Sequence, residues 1–266
     1  NPFEEFFAIY RLYRLLREVR ADVVLSFTPK CNIHGGIAAR LAGTRIINNV
    51  SGLGRVFIEK TLLTSIVILL YKVVFRWSAK VFFQNEEDQQ QFISHRIVDP
   101  RIVDRLPGSG VDLQRFTPSR EGGVYSSEGG IIFLLVARLL WDKGIGEYVE
   151  AARMVKSRYP TTRFQVLGFL GVDNPAAISR KQVTEWEREG IVEYLGSVND
   201  VTSVVSAADC VVLPSYYREG VPRTLLEAAA MAKPIITTDA PGCRDTVQDR
   251  STGFLCRTKD SADLAE

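Results

Sequence analysis

Short runs of uninterrupted apolar residues recur along this chain, each followed by a turn signal and then by a helical pattern. Ile131 to Val136, Ala208 to Leu213 and Pro234 to Thr238 are such runs. A strand that is apolar on both faces is buried on both faces, the condition of strands in a parallel sheet covered by helices. Parallel neighbours cannot be joined by a hairpin and need a crossover, usually a helix. Helical patterns do fill the gaps: Gly146 to Tyr159, Gln182 to Glu189, Val201 to Ala207 and Leu225 to Met231, with further strands at Arg163 to Gly168, Val192 to Leu195 and Thr252 to Cys256. The chain is therefore confined to the α/β class.

The first half repeats the rhythm. Phe3 to Val19 is an amphipathic helix and Asp22 to Phe27 a strand broken by Thr28-Pro29-Lys30. A helix from Asn32 to Leu41 stops at Gly43, and Arg45 to Val50 is the next strand. Gly35-Gly36 serves either close approach to a ligand or tight helix packing. Leu62 to Phe83 is the most apolar region, but its cleanest run, Ser65 to Tyr71, is too short to cross a bilayer. Two readings stand for it: a buried helix followed by the strand Lys80 to Gln84, or a helix lying on an anionic membrane through Lys60, Lys72, Arg76 and Lys80, with different faces able to serve both. Asn85-Glu86-Glu87-Asp88 caps another helix. A chain of 266 residues, 46% hydrophobic, supports two modest domains or one large one. The glycine- and serine-rich stretch at 117–130 sets the expected boundaries: 1–120, a linker at 121–130, and 131–266.

Charge and motifs narrow the function. Residues 1–120 carry 17 Lys/Arg against 11 Asp/Glu, a net of +6, which leaves −4 for the remainder of a chain at +2 overall. A basic first half suits an anionic partner or surface. It lacks the arginine tracts and interleaved aromatics that read nucleic acid. With only His34 and His95, and with Cys31, Cys210, Cys243 and Cys256 far apart, neither a metal centre nor a disulfide framework is expected, and the cysteines suit a reducing, intracellular compartment. There is no GxGxxG, GxxxxGK[ST] or GxSxG motif, which argues against standard dinucleotide, P-loop and hydrolase sites.

The densest functional signal is Pro214 to Glu227. Strand Cys210–Leu213 leads into a loop with Glu219, Gly220 and Pro222, and a helix follows. Unpaired amides and the positive end of the helix dipole point into such a loop, which suits phosphate. Glu219 and Glu227, eight residues apart, suit sugar hydroxyls, because carboxylates only accept hydrogen bonds and hydroxyls donate them. A solvated loop glutamate and a helix-surface glutamate are the plainer alternative.

Three ordered stretches resemble the nucleotide-sugar domain of retaining GT-B glycosyltransferases of family four: Ala137-Arg138-Leu139 through Lys143-Gly144, Arg218-Glu219-Gly220 through Glu227-Ala228, and Pro234 to Thr238. Phe27 to Lys30, Ala38 to Gly43, Gly52-Leu53-Gly54 and Pro107 to Phe116 look like the rest of that fold. The narrower resemblance is to bacterial enzymes that extend lipid-diphosphate-linked sugars in O-antigen, capsule or glycan-precursor assembly. It implies two Rossmann-like domains facing a cleft, the N-terminal one incomplete, in a chain cut short at both ends. It implies a UDP-linked donor, a lipid-linked saccharide acceptor, no cofactor or metal, and a place at the cytoplasmic membrane face. Arg138 and Lys143 would clamp the donor diphosphate and Glu219 would lie near the donor sugar. Amides from Gly220, Val221 and Arg223, around Pro222, would meet phosphate or sugar oxygens, and Glu227 would hold the ribose. Leu195 and Gly196 would edge the base, and Gly110 and Val111 would line the cleft wall. Arg223 and Arg244 would meet substrate phosphate or pair with Asp245 or Glu219. Phe27 and Ser51 stand where many members carry a histidine, and His34 is a poor substitute. The alternative is a non-catalytic nucleotide-sugar or membrane-surface binding module.

Overall fold

The computed structural model describes residues 2–54, 57, 62–118 and 130–266. The expected linker at 121–130 falls, all but Gly130, outside the described residues, as does Lys60. The chain forms two units, Asn1–Ser109 with Arg218–Val221, and Gly110–Tyr217 with Pro222–Glu266.

In unit 1, α1 (Pro2–Glu18), β1 (Val23–Phe27), α2 (Pro29–Ala42), β2 (Arg45–Val50), α3 (Leu62–Phe75), β3 (Lys80–Phe83), α4 (Glu86–Ser94) and β4 (Val103–Arg105) follow one another. The strands form one parallel sheet in the order β1-β2-β3-β4. Every crossover steps in the same direction, so right-handed connections send α2, α3 and α4 to one face. Val50, Val81 and Phe83 pack there against Ile33, Tyr71, Val74, Phe75 and Phe92. β1 turns Val23, Leu25 and Phe27 outward. β4 was not expected, since Val103-Asp104-Arg105 has no apolar run to announce it. α2 begins at Pro29 rather than Asn32, because proline fits a first helical turn where its missing N–H loses nothing. Gly43 ends it in the left-handed region at φ 74°. His34 lies inside α2, its Nε2 3.0 Å from Glu5 on α1.

In unit 2, β5 (Ile132–Val136), α5 (Ile145–Arg158), β6 (Arg163–Leu167), α6 (Arg180–Arg188), β7 (Glu193–Tyr194), α7 (Thr202–Ala207), β8 (Cys210–Leu213), α8 (Arg223–Ala230), β9 (Ile235–Thr238), β10 (Gly253–Cys256) and α9 (Ser261–Ala265) alternate as expected, within two residues at nearly every boundary. The six strands are parallel in the order β10-β9-β8-β5-β6-β7. One core lies under α5 and α6, around Leu135, Ile145, Tyr148, Phe164 and Trp186. The other lies under α8, around Leu134, Val211, Leu213, Leu225 and Ala228. Burial pushes the Cys210 thiol up to about 12, so this residue offers no thiolate at neutral pH.

The paired glycines of α2 act through packing. A Cβ at Gly36 would stand 2.2 Å from Val74 Cγ1 on α3, whereas one at Gly35 would meet Ile46 and Ser26 at an ordinary 3.7–3.8 Å. Helix propensity favours alanine over glycine by about 1 kcal/mol, and forcing a methyl into a packed contact costs about 1–3 kcal/mol. Gly36→Ala is therefore expected to lower the thermal midpoint and Gly35→Ala to leave it unchanged or raise it. Melting curves of the two variants check the pair.

Candidate functional site

The strand order of unit 2 reverses at β5, which pairs with β6 on one side and β8 on the other. In an open parallel sheet the crevice at such a reversal, beyond the carboxyl ends of the strands, is where ligands bind. The loops leaving β5 and β8 are those that carry Arg138 to Gly144 and Pro214 to Pro222.

The β5 loop closes as a 3-10 turn, Trp141–Lys143, ending at Gly144 with φ 74°. The Asp142 carbonyl accepts from the amides of Tyr216 and Tyr217 at 3.2 and 3.0 Å and from Ser215 Oγ at 3.3 Å, which ties this turn to the β8 loop. Gly144 packs so closely that a Cβ would stand 2.0 Å from the Pro214 carbonyl oxygen. Lys143 Nζ sits 5.0 Å above the Tyr217 ring. Arg138 is exposed and has no carboxylate partner among the described residues. From the neighbouring strand, Thr237 Oγ1 donates to the Leu213 carbonyl at 2.7 Å and Thr238 Oγ1 to that of Ser215. These hydroxyls hold the carboxyl end of β8 in place.

α8 starts after Pro222, which occupies the cap position. Its first amides, those of Arg223 and Thr224, precede the first intrahelical bonds, which Leu225 and Leu226 donate to the Pro222 carbonyl at 3.1 and 3.3 Å. Glu227 is nearly buried, and its Oε1 accepts from Arg223 Nε at 2.9 Å. The partner of Arg223 is thus Glu227, one turn away, and not Glu219 or Asp245. Arg244 pairs likewise with Asp239, at 2.7 Å. Leu195 and Gly196 follow β7, and the Gly196 carbonyl accepts from the Gly168 amide at 2.7 Å, beside the end of β6. Gly110, at φ 75°, opens unit 2, and Val111 packs against the core under α8.

Glu219, Gly220 and Val221 belong with unit 1. Asn85 Nδ2 donates to the Glu219 carbonyl at 3.2 Å, and the Val221 amide donates to Gln84 Oε1 at 3.0 Å. Since Pro222 has no N–H, Gly220, Arg223 and Thr224 hold the remaining amides of the run. Burial pushes the Asp88 carboxyl up, against the pull of Arg218 beside it. Sequence reasoning missed Asp142, Ser215, Gln84, Asn85 and Asp88 as parts of this architecture. Gly144, required at positive φ after a charged loop, was the one local signal that the β5 loop must bend so tightly.

Residues 124–266 match the family described as glycosyl transferases group 1, and residues 1–85 match the glycosyl transferase 4-like family. The chain is 30% identical to the N,N'-diacetylbacillosaminyl-diphospho-undecaprenol alpha-1,3-N-acetylgalactosaminyltransferase of Campylobacter jejuni, over all of this chain and 72% of that protein. It is 28% identical to the UDP-Gal:alpha-D-GlcNAc-diphosphoundecaprenol alpha-1,3-galactosyltransferase of Escherichia coli, over 95% of this chain and 67% of that protein. Among solved structures, Anabaena HepE in complex with UDP-glucose superposes with a TM-score of 0.78 at 20% identity, over 97% of this chain and 70% of that one. The fold is that of the GT-B glycosyltransferases.

Alanine at Gly144 would meet both a left-handed backbone and the Pro214 carbonyl. At Gly190, with φ 70° and no atom within 4 Å of an added Cβ, it would meet only the first. Left-handed backbone costs a non-glycine residue roughly 1–2 kcal/mol. Gly144→Ala is expected to lose clearly more stability than Gly190→Ala in urea unfolding, the difference reporting the loop contact.

Proposed function

Because the chain belongs to the glycosyl transferases group 1 family, we propose that it moves a hexose or N-acetylhexosamine from a UDP-linked donor to a saccharide carried on a lipid diphosphate, with retention at the anomeric carbon. The observation that carries this reading is the meeting, at the strand-order reversal of unit 2, of two features suited to an anion. One is the β5 loop with exposed Arg138 and with Lys143. The other is the amino end of α8 with the leading amides of Arg223 and Thr224. The names of the Campylobacter and Escherichia relatives supply the acceptor class, and the UDP-glucose held by HepE supplies the donor class.

In the proposed reaction the bond from the anomeric carbon to the donor phosphate oxygen breaks, and its electron pair leaves with UDP. The acceptor hydroxyl oxygen bonds that carbon from the same face, and its proton passes to the departing phosphate oxygen. Negative charge grows on the diphosphate as the bond breaks, so Arg138 and Lys143 stabilise the transition state more than the bound donor. Glu219 meets the donor sugar. Glu227, already held by Arg223, accepts from the ribose hydroxyls, and Leu195 and Gly196 edge the base. No cofactor or metal enters this scheme.

The acceptor's lipid puts the enzyme, in this reading, on the cytoplasmic face of a membrane. Among the described residues no helix is long and apolar enough to cross one. α3 supports surface contact instead. Thr64, Tyr71, Val74 and Phe75 face inward, while Leu62, Ile66 and Leu69 are exposed along a second stripe, near Lys72 and exposed Arg76.

Calorimetry with UDP is expected to show binding that Arg138→Ala and Glu227→Ala each weaken by about tenfold or more, the loss of a charge-assisted contact. Absence of UDP binding by the folded wild type would overturn the site assignment. Ile66→Glu with Leu69→Glu is expected to cut co-sedimentation with phosphatidylglycerol vesicles severalfold while leaving UDP affinity unchanged. Undiminished sedimentation would remove α3 from the membrane surface.

A further inference from the structure

Four residues, Arg218–Val221, leave the sequence of unit 2 and are built into unit 1, where each of them is anchored. The Arg218 carbonyl accepts from the Gly54 amide at 3.1 Å. The Glu219 and Gly220 carbonyls accept from Asn85 Nδ2 at 3.2 and 3.4 Å. The Val221 amide donates to Gln84 Oε1 at 3.0 Å. Packing allows no looser fit: a Cβ at Gly220 would stand 2.1 Å from Gln84 Oε1, and one at Gly52 would stand 2.4 Å from the Gly220 nitrogen.

The Arg218 side chain adds a directional lock. Its Nη2 donates to Asp88 Oδ1 at 2.5 Å and to Gln91 Oε1 at 2.8 Å, and Asp88 is fully buried. Asn85, the cap of α4, is itself fixed by Asp88, whose amide donates to Asn85 Oδ1 at 2.8 Å and whose Oδ2 accepts from Asn85 Nδ2 at 3.0 Å. Apolar packing holds a short segment as firmly as a buried ion pair does. What a planar guanidinium on a fixed carboxylate adds is orientation. The backbone on both sides of Glu219 is thereby set, and with it the direction in which the Glu219 side chain leaves the chain.

We propose that Gln84, Asn85 and Asp88 are positioning residues for Glu219, acting through Arg218 and the backbone of Arg218–Val221 without touching the donor. This inference rests on the role of Glu219 proposed above. A reacting group displaced by about 1 Å can cost on the order of a hundredfold in rate, so a positioning role should appear in kcat.

The test uses the full chain with a UDP-sugar and a lipid-diphosphate saccharide acceptor. Asp88→Asn and Asn85→Ala are expected to lower kcat at least tenfold while UDP affinity, held by residues of unit 2, stays within twofold. Arg218→Lys, which keeps the charge and loses the fork, should fall between them and wild type. The deciding measurement is coupling: Asp88→Asn added to Glu219→Gln should cost nothing further, because its effect runs through Glu219. Folded Asp88→Asn and Asn85→Ala variants with kcat within twofold of wild type would overturn the proposal, as would a double variant whose loss is the product of the two single losses. If Asp88→Asn does not fold, Asn85→Ala and Gln84→Ala, which leave no charge unpaired, carry the same test. Full activity in Glu219→Gln would instead overturn the role of Glu219, and UDP binding would show whether the nucleotide site survives it.

Discussion

Strand β5 takes a parallel partner on each side, β6 and β8, and the rest of unit 2 follows from that pairing. The chain leaves β5 toward β6 in one direction and β8 toward β9 in the other. Right-handed crossovers must then lay α5 and α8 on opposite faces of the sheet. The two cores, one under α5 and one under α8, are the packing consequence. The chemical consequence is that the loops entering α5 and α8 diverge from a common point. A crevice between them is unavoidable, and the loop residues Arg138 and Lys143 and the first turn of α8 are what the sequence puts there.

Much of this was legible in advance. Short apolar runs bounded by turn signals and separated by helical patterns point to covered strands, so the parallel α/β reading needed no motif. Strand positions were recovered because Val, Ile and Leu cluster in β5, β8 and β9. The failures have separate physical causes. β4 rests on three residues and on its pairing with β3, a tertiary fact with no local pattern. Thr28-Pro29-Lys30 was read as a break, because proline is both a helix breaker and a favoured first-turn residue and its neighbours do not decide between the two.

The site divides in the same way. Glu219 and Glu227 stood out because two carboxylates flanking a glycine- and proline-bearing turn before a helix are locally visible, whereas Arg138 and Lys143 stood out only through the family resemblance. Their partners did not. Asn85 and Asp88 lie 134 and 130 residues from the atoms they hold in Glu219 and Arg218, and they look like an ordinary helix cap. They are an ordinary helix cap as well: the same Asn85 satisfies the Asp88 amide and grips a distant carbonyl. Side chains with two duties hide the second behind the first. The pairing of Glu227 with Arg223 was missed for the opposite reason. At i,i+4 spacing it is a common helix contact, and nothing local singles it out over more distant carboxylates.

The carbonyl of Asp142 joins two loops through three hydrogen bonds, and it belongs to the main chain. Any amino acid at that position would present the same oxygen. The turn from Arg138 to Gly144 is accordingly indifferent to the side chain at position 142 but intolerant of a change in its length. A residue inserted or removed there would shift the oxygen out of reach of Tyr216 and Tyr217. Over long divergence the letter at position 142 is expected to drift while the residue count of the loop stays fixed, so that at this one joint spacing outlasts spelling.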